Sequence, residues 1–298
     1  MWEETKRFGS WQQAKDFLIT LQGRYVFRGL GDAQWNLETT LDRTARYRQT
    51  ESEAVLVESF QRAVPATIHN APPHDDRFSW LALMRHYGLP SRLLDCTDSP
   101  FVAAYFAAEA PPHCDCHFAI WAFDKDALQH SAEAHLRILS HCGTPLTPIE
   151  IGRTELFSAV FNNPSRFVAL ADAKNKSPRQ NAQQGLFLCP GDPGYPFWRN
   201  LHGIPLTART LGFMYKVVLP GGARRDVLAD LSGKDIGQAQ LLPHIEEIEE
   251  LCTTLQTLLE QSQKKHGHLQ WKVAVKPALM KRGLLEVKRV GTLHTPST

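Results

Sequence analysis

The sequence predicts an α+β fold, a mixed β-sheet flanked by helices, and three observations lead there. Hydrophobic residues make up 43% of the 298 positions, enough to build a real core. Segments with apolar residues at helical spacing are interleaved with short β-type runs, in no regular order. No internal repeat and no long low-complexity linker interrupts them.

Along the chain, Ser10 to Leu21 sets Trp11, Ala14, Phe17, Leu18 and Leu21 at helical spacing, with Ser10 as N-cap and Gly23 as the stop. Tyr25-Val26-Phe27 is a short strand ending at Arg28-Gly29, and Gly31-Asp32 is a turn. Trp35 and Leu37 then alternate with polar neighbours. Ser52 to Ala63 reads as a helix with Val55, Leu56, Ser59 and Phe60 on one face. A loop over 70–76 leads to a helix from Arg77 to Tyr87, with Trp80, Leu83, Met84 and Tyr87 clustered, closed by Gly88 and Pro90. Arg92-Leu93-Leu94 is a short buried strand. Asp98-Ser99-Pro100 opens a helix whose apolar face is Phe101, Val102, Tyr105 and Phe106, and Pro111-Pro112 ends it. Further strands are expected at Phe118 to Phe123, Phe167 to Ala171, Leu186 to Leu188 and Phe213 to Leu219. Helices are expected at Arg224 to Ser232 and Ile245 to Leu259.

The formal net charge of +2 singles out no class of partner for the chain as a whole. Met1-Trp2-Glu3-Glu4 lacks the basic and apolar pattern of a secretory signal. No stretch approaches the roughly 20 apolar residues of a membrane helix. The 6 cysteines are irregularly spaced and do not read as a disulfide framework. The expectation is a cytoplasmic protein without a membrane partner. From Gln261 onward, eight basic residues between Lys264 and Arg289 face one acid, Glu286. The chain therefore divides into a main domain over 1–260 and a basic C-terminal extension over 261–298.

Three constellations carry residues suited to chemistry. In the first, Arg28 ends a buried strand, where a guanidinium needs either a paired acid such as Asp95 or a bound anion. Its planar fork suits a pyrophosphate or carboxylate, and Gly29 would let a ligand approach the backbone. The second runs from His86 to Pro100. Here a sharp helix stop, a short strand and a polar turn feed a helix N-terminus, which attracts anions. Asp95 could act on a hydroxyl or orient Arg28, and Tyr87 could stack on a planar ring; a capped helix whose polar groups satisfy one another is the alternative. The third is Arg179 to Phe187, where Gln183 and Gln184 could fix a ribose or an amide, or simply form a polar loop before a strand. His113-Cys114-Asp115-Cys116-His117 has metal-ligand residue types at a spacing too crowded for an ordinary zinc site, so no metal is expected.

These motifs resemble the FRG domain family. The similarity rests on Phe27-Arg28-Gly29, the Trp35 and Leu37 stretch, His86 to Pro100 leading to Ala104-Tyr105-Phe106-Ala107, and the Arg179 to Phe187 segment. Together they span about residues 10 to 245. The family's second motif reads Gln-His-Tyr-Gly-Leu-Pro-Thr-Arg-Leu-Leu-Asp-Trp-Thr; this chain departs from it at Arg85, Ser91 and Cys96. At fold level the layout is also similar to mono-ADP-ribosyltransferases, which implies a split mixed β-sheet.

That likeness implies a set of expectations. NAD is the substrate, held by Arg28, Gly29, Tyr87, Arg92 and Thr97, with Arg28, Asp95, Gln183 and Gln184 acting at the reacting ribose. The nicotinamide glycosidic bond is cleaved through an oxocarbenium-like transition state, to which a carboxylate contributes. Glutamine stands where those transferases have glutamate, so Asp95, Glu150 or Glu155 is the alternative carboxylate. The implied role is a bacterial toxin, of a toxin–antitoxin or anti-phage system. It would modify a macromolecular acceptor, RNA or protein, with RNA favoured by the basic extension and Trp271. An antitoxin or partner protein could dock on that extension. The other reading is a non-catalytic nucleotide- or protein-binding module. A nuclease is disfavoured, since no acids cluster at metal-site spacing.

Overall fold

The structure is a computed structural model that describes residues 3–44, 49–63, 71–109, 115–140, 165–173, 176–203 and 212–242. The helix expected at 245–259, the basic extension, Pro111-Pro112, Glu150 and Glu155 lie outside those residues.

Seven strands form one sheet. They are β1 (Glu4–Arg7), β2 (Tyr25–Leu30), β3 (Leu94–Thr97), β4 (Phe118–Asp124), β5 (Val168–Ala171), β6 (Gly185–Pro190) and β7 (Met214–Leu219). Their order is β1-β7-β4-β2-β3-β6-β5. Only β1 and β7 pair in parallel; the other pairs are antiparallel. The helices are α1 (Trp11–Leu21), α2 (Thr40–Thr44), α3 (Gln49–Ala63), α4 (Arg77–His86), α5 (Pro100–Glu109), α6 (Lys125–Ser140), α7 (Pro178–Ala182), α8 (Phe197–Leu201), α9 (Arg224–Ser232) and α10 (Gln238–Leu241). This is the mixed sheet flanked by helices that the sequence predicts.

The two halves of the sheet are joined narrowly. β2 matches β4 over six residues, from Tyr25↔Asp124 to Leu30↔Ala119. With β3 it shares one pair, Phe27↔Thr97. Beyond that pair the strands separate, leaving a split between β1-β7-β4-β2 and β3-β6-β5.

Side-chain alternation distributes the core across both faces. On one face Tyr25, Phe27, Phe118, Ile120, Ala122, Val217 and Leu219 pack under α1, α5 and α9. Across the split, Phe187, Cys189, Ala169 and Ala171 pack under α3 and α4. The opposite face carries one cluster that spans both halves, from Val26, Trp121 and Phe123 to Leu94, Leu170 and Leu188. Leu37, Leu128, Phe197 and Leu201 cover it.

Local chemistry explains most element ends. Ser10 Oγ accepts from the Gln13 amide, and Gly23 takes φ +87°, so α1 starts and stops where expected. Asp76 caps α4, accepting from the Ser79 amide at 3.1 Å, and Gly88 takes φ +72° after it. Ser99 Oγ accepts from the Val102 amide at 3.3 Å with Pro100 at the first helical position of α5. Arg224 at the start of α9 donates to the carbonyls of Ala107 and Ala108, filling the C-terminal acceptors of α5.

Several expectations are corrected. The strand expected at Arg92-Leu93-Leu94 starts at Leu94 and runs to Thr97, because Arg92 turns into a buried ion pair instead of a ladder. Val55 is 55% exposed; Val57 takes the place beside Leu56 and Phe60. α5 is buried on most of its circumference, with Ala103, Ala104, Ala107 and Ala108 inside and Phe101 and Phe106 only partly covered. Of the two apolar residues that alternate with polar neighbours after the first turn, Leu37 is buried and Trp35 is 39% exposed. β1, four polar and charged residues at the sheet edge that alternate only in exposure, is not among the expected strands.

Candidate functional site

At the split a side chain replaces the sheet's own hydrogen bonding. Continuing the Phe27↔Thr97 register would set Arg28 opposite Cys96, but no ladder forms there. Instead Arg28 Nη1 donates to the carbonyl oxygen of Asp95 at 2.5 Å. The guanidinium thus occupies the gap and satisfies an acceptor that β2 would otherwise have met. Its side chain is 14% exposed and its Nη1 lies 3.9 Å from Asp95 Oδ2. The expected pairing of Arg28 with Asp95 is present in this geometry. The guanidinium touches Asp95, yet its Nε is buried without a hydrogen-bond partner.

The carboxylate of Asp95 is already engaged. Arg85, on the last turn of α4, donates Nε to Asp95 Oδ2 at 2.7 Å and Nη2 to the same oxygen. Arg85 is 10% exposed and Asp95 44%. Desolvation works to raise the Asp95 carboxyl, but the charge and hydrogen bonds of Arg85, with Arg28 and Arg179, hold it below the ordinary carboxylate range. A third arginine stands close. Arg43 on α2 donates Nη1 to the Glu38 carbonyl at 3.0 Å, and its Nε is buried without a partner. Burial first, then the charges of Arg85 and Arg28, push Arg43 down to about 10. Burial likewise lowers Arg28 to about 10, against the pull of Asp95. Both remain cationic at neutral pH. Arg85, Arg28 and Arg179 therefore act on the Asp95 carboxylate, Arg43 lies beside Arg85 and Arg28, and both Arg28 and Arg43 keep an orphan donor. Such a surplus suits a multiply charged oxyanion whose oxygens accept from several arginines at once.

The other sequence candidates separate into those at this site and those that build the fold. Tyr87 caps the end of α4 one residue beyond His86, its ring 5.0 Å from the imidazole in a T-shaped contact. His86 faces Ser177 Oγ at 3.5 Å. Burial first, then the Arg179 charge, push it down to about 4. Gln183 follows α7, and its Nε2 donates to the Leu241 carbonyl at 2.8 Å, so its amide is tied to α10. Gln184 takes φ +46° and is exposed, its carbonyl accepting from the Asp98 amide at 3.1 Å.

Gly29 needs a different explanation from ligand approach. A Cβ there would lie 2.0 Å from the Ala103 carbonyl and 2.7 Å from the Ala107 amide, so glycine lets α5 lie directly on β2. Arg92 is taken up inside the fold: it is 2% exposed and its Nε donates to Glu53, itself fully buried, at 2.8 and 2.9 Å. Its Nη1 reaches the carbonyls of Pro190 and Gly191. Thr97 is spent internally, donating to the Gln183 carbonyl at 2.7 Å and accepting from the Ser99 amide at 3.0 Å.

Sequence reasoning missed Arg43 and Arg85. Arg85 had a signal, since it is one of the departures from the FRG motif. Arg43 had none; it lies in a short polar helix whose position only the fold reveals.

The split, where β2, α2, α4 and β3 bring Arg28, Arg43, Arg85 and Asp95 together, is an arginine-rich cleft whose donors suit an anion. Residues 23–116, which supply Arg28, Arg43, Arg85 and Asp95, match the family model of the FRG domain. The resemblance read from the first two motifs therefore holds over that stretch, while the Arg179 to Phe187 motif falls outside it. No curated protein and no solved structure matches the chain. None of the described helices is long and apolar enough to cross a membrane.

Proposed function

We propose that the protein is an NAD-dependent ADP-ribosyltransferase whose cleft at the split of the sheet takes the pyrophosphate of NAD. The observation that carries this reading is the convergence of Arg28, Arg43 and Arg85 at the split with two unpartnered donors. A pyrophosphate supplies the acceptor oxygens these donors lack. Tyr87, partly buried at the end of α4 beside His86, offers a ring for a nicotinamide or adenine. Gln184, exposed in the turn before β6, is the better placed of the two glutamines to hold a ribose hydroxyl.

In the proposed reaction the bond from the ribose C1 to nicotinamide breaks, and its electron pair returns to the pyridine nitrogen. A new bond forms from C1 to an oxygen or nitrogen of the acceptor, whose proton is released. Asp95 is the carboxylate at the site, and Arg85 keeps it in its charged form. We read the biological role as toxic modification of a macromolecule, with RNA the favoured acceptor. A docked antitoxin on the basic extension and a cytoplasmic location belong to the same proposal.

One observation favours a second reading, a nucleotide-binding module without turnover: the Asp95 carboxylate is occupied by Arg85, and neither glutamine can act as a base at neutral pH. Incubation with NAD labelled on the adenylate, with cell extract as acceptor, separates the two. Labelled macromolecule together with released nicotinamide supports the transferase. Saturable NAD binding with neither product supports the module. Neither binding nor turnover overturns both.

A further inference from the structure

A second feature lies outside the cleft, around α8. Tyr195 and Trp198 are 39% and 37% exposed, unusual for large aromatic rings in a well-packed core. Each carries a guanidinium. Arg166 lies 5.5 Å and Arg199 6.0 Å from the Tyr195 ring centroid. Arg199 also lies 5.3 Å from that of Trp198, and His202 meets Trp198 edge-on at 5.3 Å. Among the described residues neither Arg166 nor Arg199 forms an ion pair or a side-chain hydrogen bond. The acid closest to Arg199 in sequence, Asp192, is engaged locally, its Oδ1 accepting from the Gly194 amide at 2.8 Å.

The fold holds these side chains on a stiff support. Asn200, fully buried, donates Nδ2 to the carbonyls of Asp192, Tyr195 and Pro196 and accepts from the Asp192 amide at 2.9 Å. Gly203 lets the Arg166 backbone press against the end of α8; a Cβ there would lie 1.6 Å from the Arg166 carbonyl. Exposed rings on a hydrogen-bonded loop, flanked by uncompensated cations, contribute little to a core. They match what stacks and neutralises a flexible polyanion with planar groups.

We propose that Tyr195, Trp198, Arg166 and Arg199 form a platform for single-stranded nucleic acid, with bases stacked on the two rings and phosphates set against the two guanidiniums. The platform borders the arginine cleft: Asp42 Oδ2 accepts from the Phe197 amide at 3.2 Å and the Thr39 amide at 2.8 Å, tying α8 to the helix that carries Arg43. It stands on its own observations, whether or not the cleft turns over NAD.

The test is fluorescence anisotropy of the full chain with labelled single-stranded RNA and DNA of about a dozen nucleotides, at several salt concentrations. Binding of at least one strand type is expected, with affinity falling as salt rises. Tyr195→Ala with Trp198→Ala should weaken it about tenfold or more. Trp198→Phe should keep most of it. Arg166→Ala and Arg199→Ala should each make the salt dependence shallower by about one counterion. Trp35→Ala, at a comparably exposed tryptophan with no arginine over its ring among the described residues, should leave binding unchanged. Thermal melts confirm that each variant folds. Comparing the two probes decides between RNA and DNA. The proposal is overturned by no binding at low salt, by equal affinity for duplex, or by binding that Tyr195→Ala and Trp198→Ala leave intact. It is equally overturned if those substitutions abolish capture of a protein partner while no oligonucleotide binds.

Discussion

Arg28 and Arg92 look alike in sequence, each beside a short apolar run, and the fold uses them oppositely. Arg92 meets Glu53 in a pair that solvent does not reach. Breaking such a pair strands a buried charge, so Glu53→Gln should lower unfolding free energy by about 3–5 kcal/mol in denaturant titration. Replacing both residues, Glu53→Leu with Arg92→Met, should cost less than the single change; an equal or larger loss would contradict a charge-burial origin. His86 adds a pH-dependent term. Its folded pKa, about 4, lies below the ordinary 6.5 because of burial and then Arg179, with Asp95 opposing and Ser177 and Tyr87 as its neutral neighbours. The stability involved is present above pH 6.5 and is lost as pH falls toward 4, where the unfolded chain binds a proton the fold refuses. His86→Gln should flatten the stability curve in that window by up to one proton, about 1.4 kcal/mol per pH unit. An unchanged slope would show that His86 titrates normally.

At the level of elements, the packing of α5 on β2 decides the site's geometry, because it fixes the strand that carries Arg28. Gly29→Ala would drive a methyl into the Ala103 carbonyl, a backbone atom that cannot step aside. It should cost about 1–3 kcal/mol and shift the melting temperature down; a neutral result would mean that helix and strand are not in contact. Elements with strong local signals were legible in the sequence. α1 has a serine cap, a glycine stop and a clean apolar stripe; α5 has Ser99-Pro100; β4 is a continuous apolar run. β1 was not legible, since an edge strand of charged residues has no hydrophobic alternation to read. Nor was the true start of β3, because nothing local distinguishes an arginine that enters a ladder from one that turns into the core. The same limit applies to the site. Arg28 and Asp95 were readable as partners, whereas Arg43 joins them only through the packing of α2.

For the molecule as a whole, the narrow join between β2 and β3 organises everything else: it opens the gap, Arg28 fills it, and Arg43 and Arg85 crowd the mouth. A sheet closed along its full length would have had no room for a guanidinium there. The central claim is that these arginines hold the pyrophosphate of NAD, and a crystal structure of the full chain soaked with NAD tests it most directly. The expected result is pyrophosphate density between Arg28, Arg43 and Arg85, with weaker or no binding in Arg28→Lys and Arg43→Ala crystals. NAD bound elsewhere, or an empty split at saturating NAD, would contradict it.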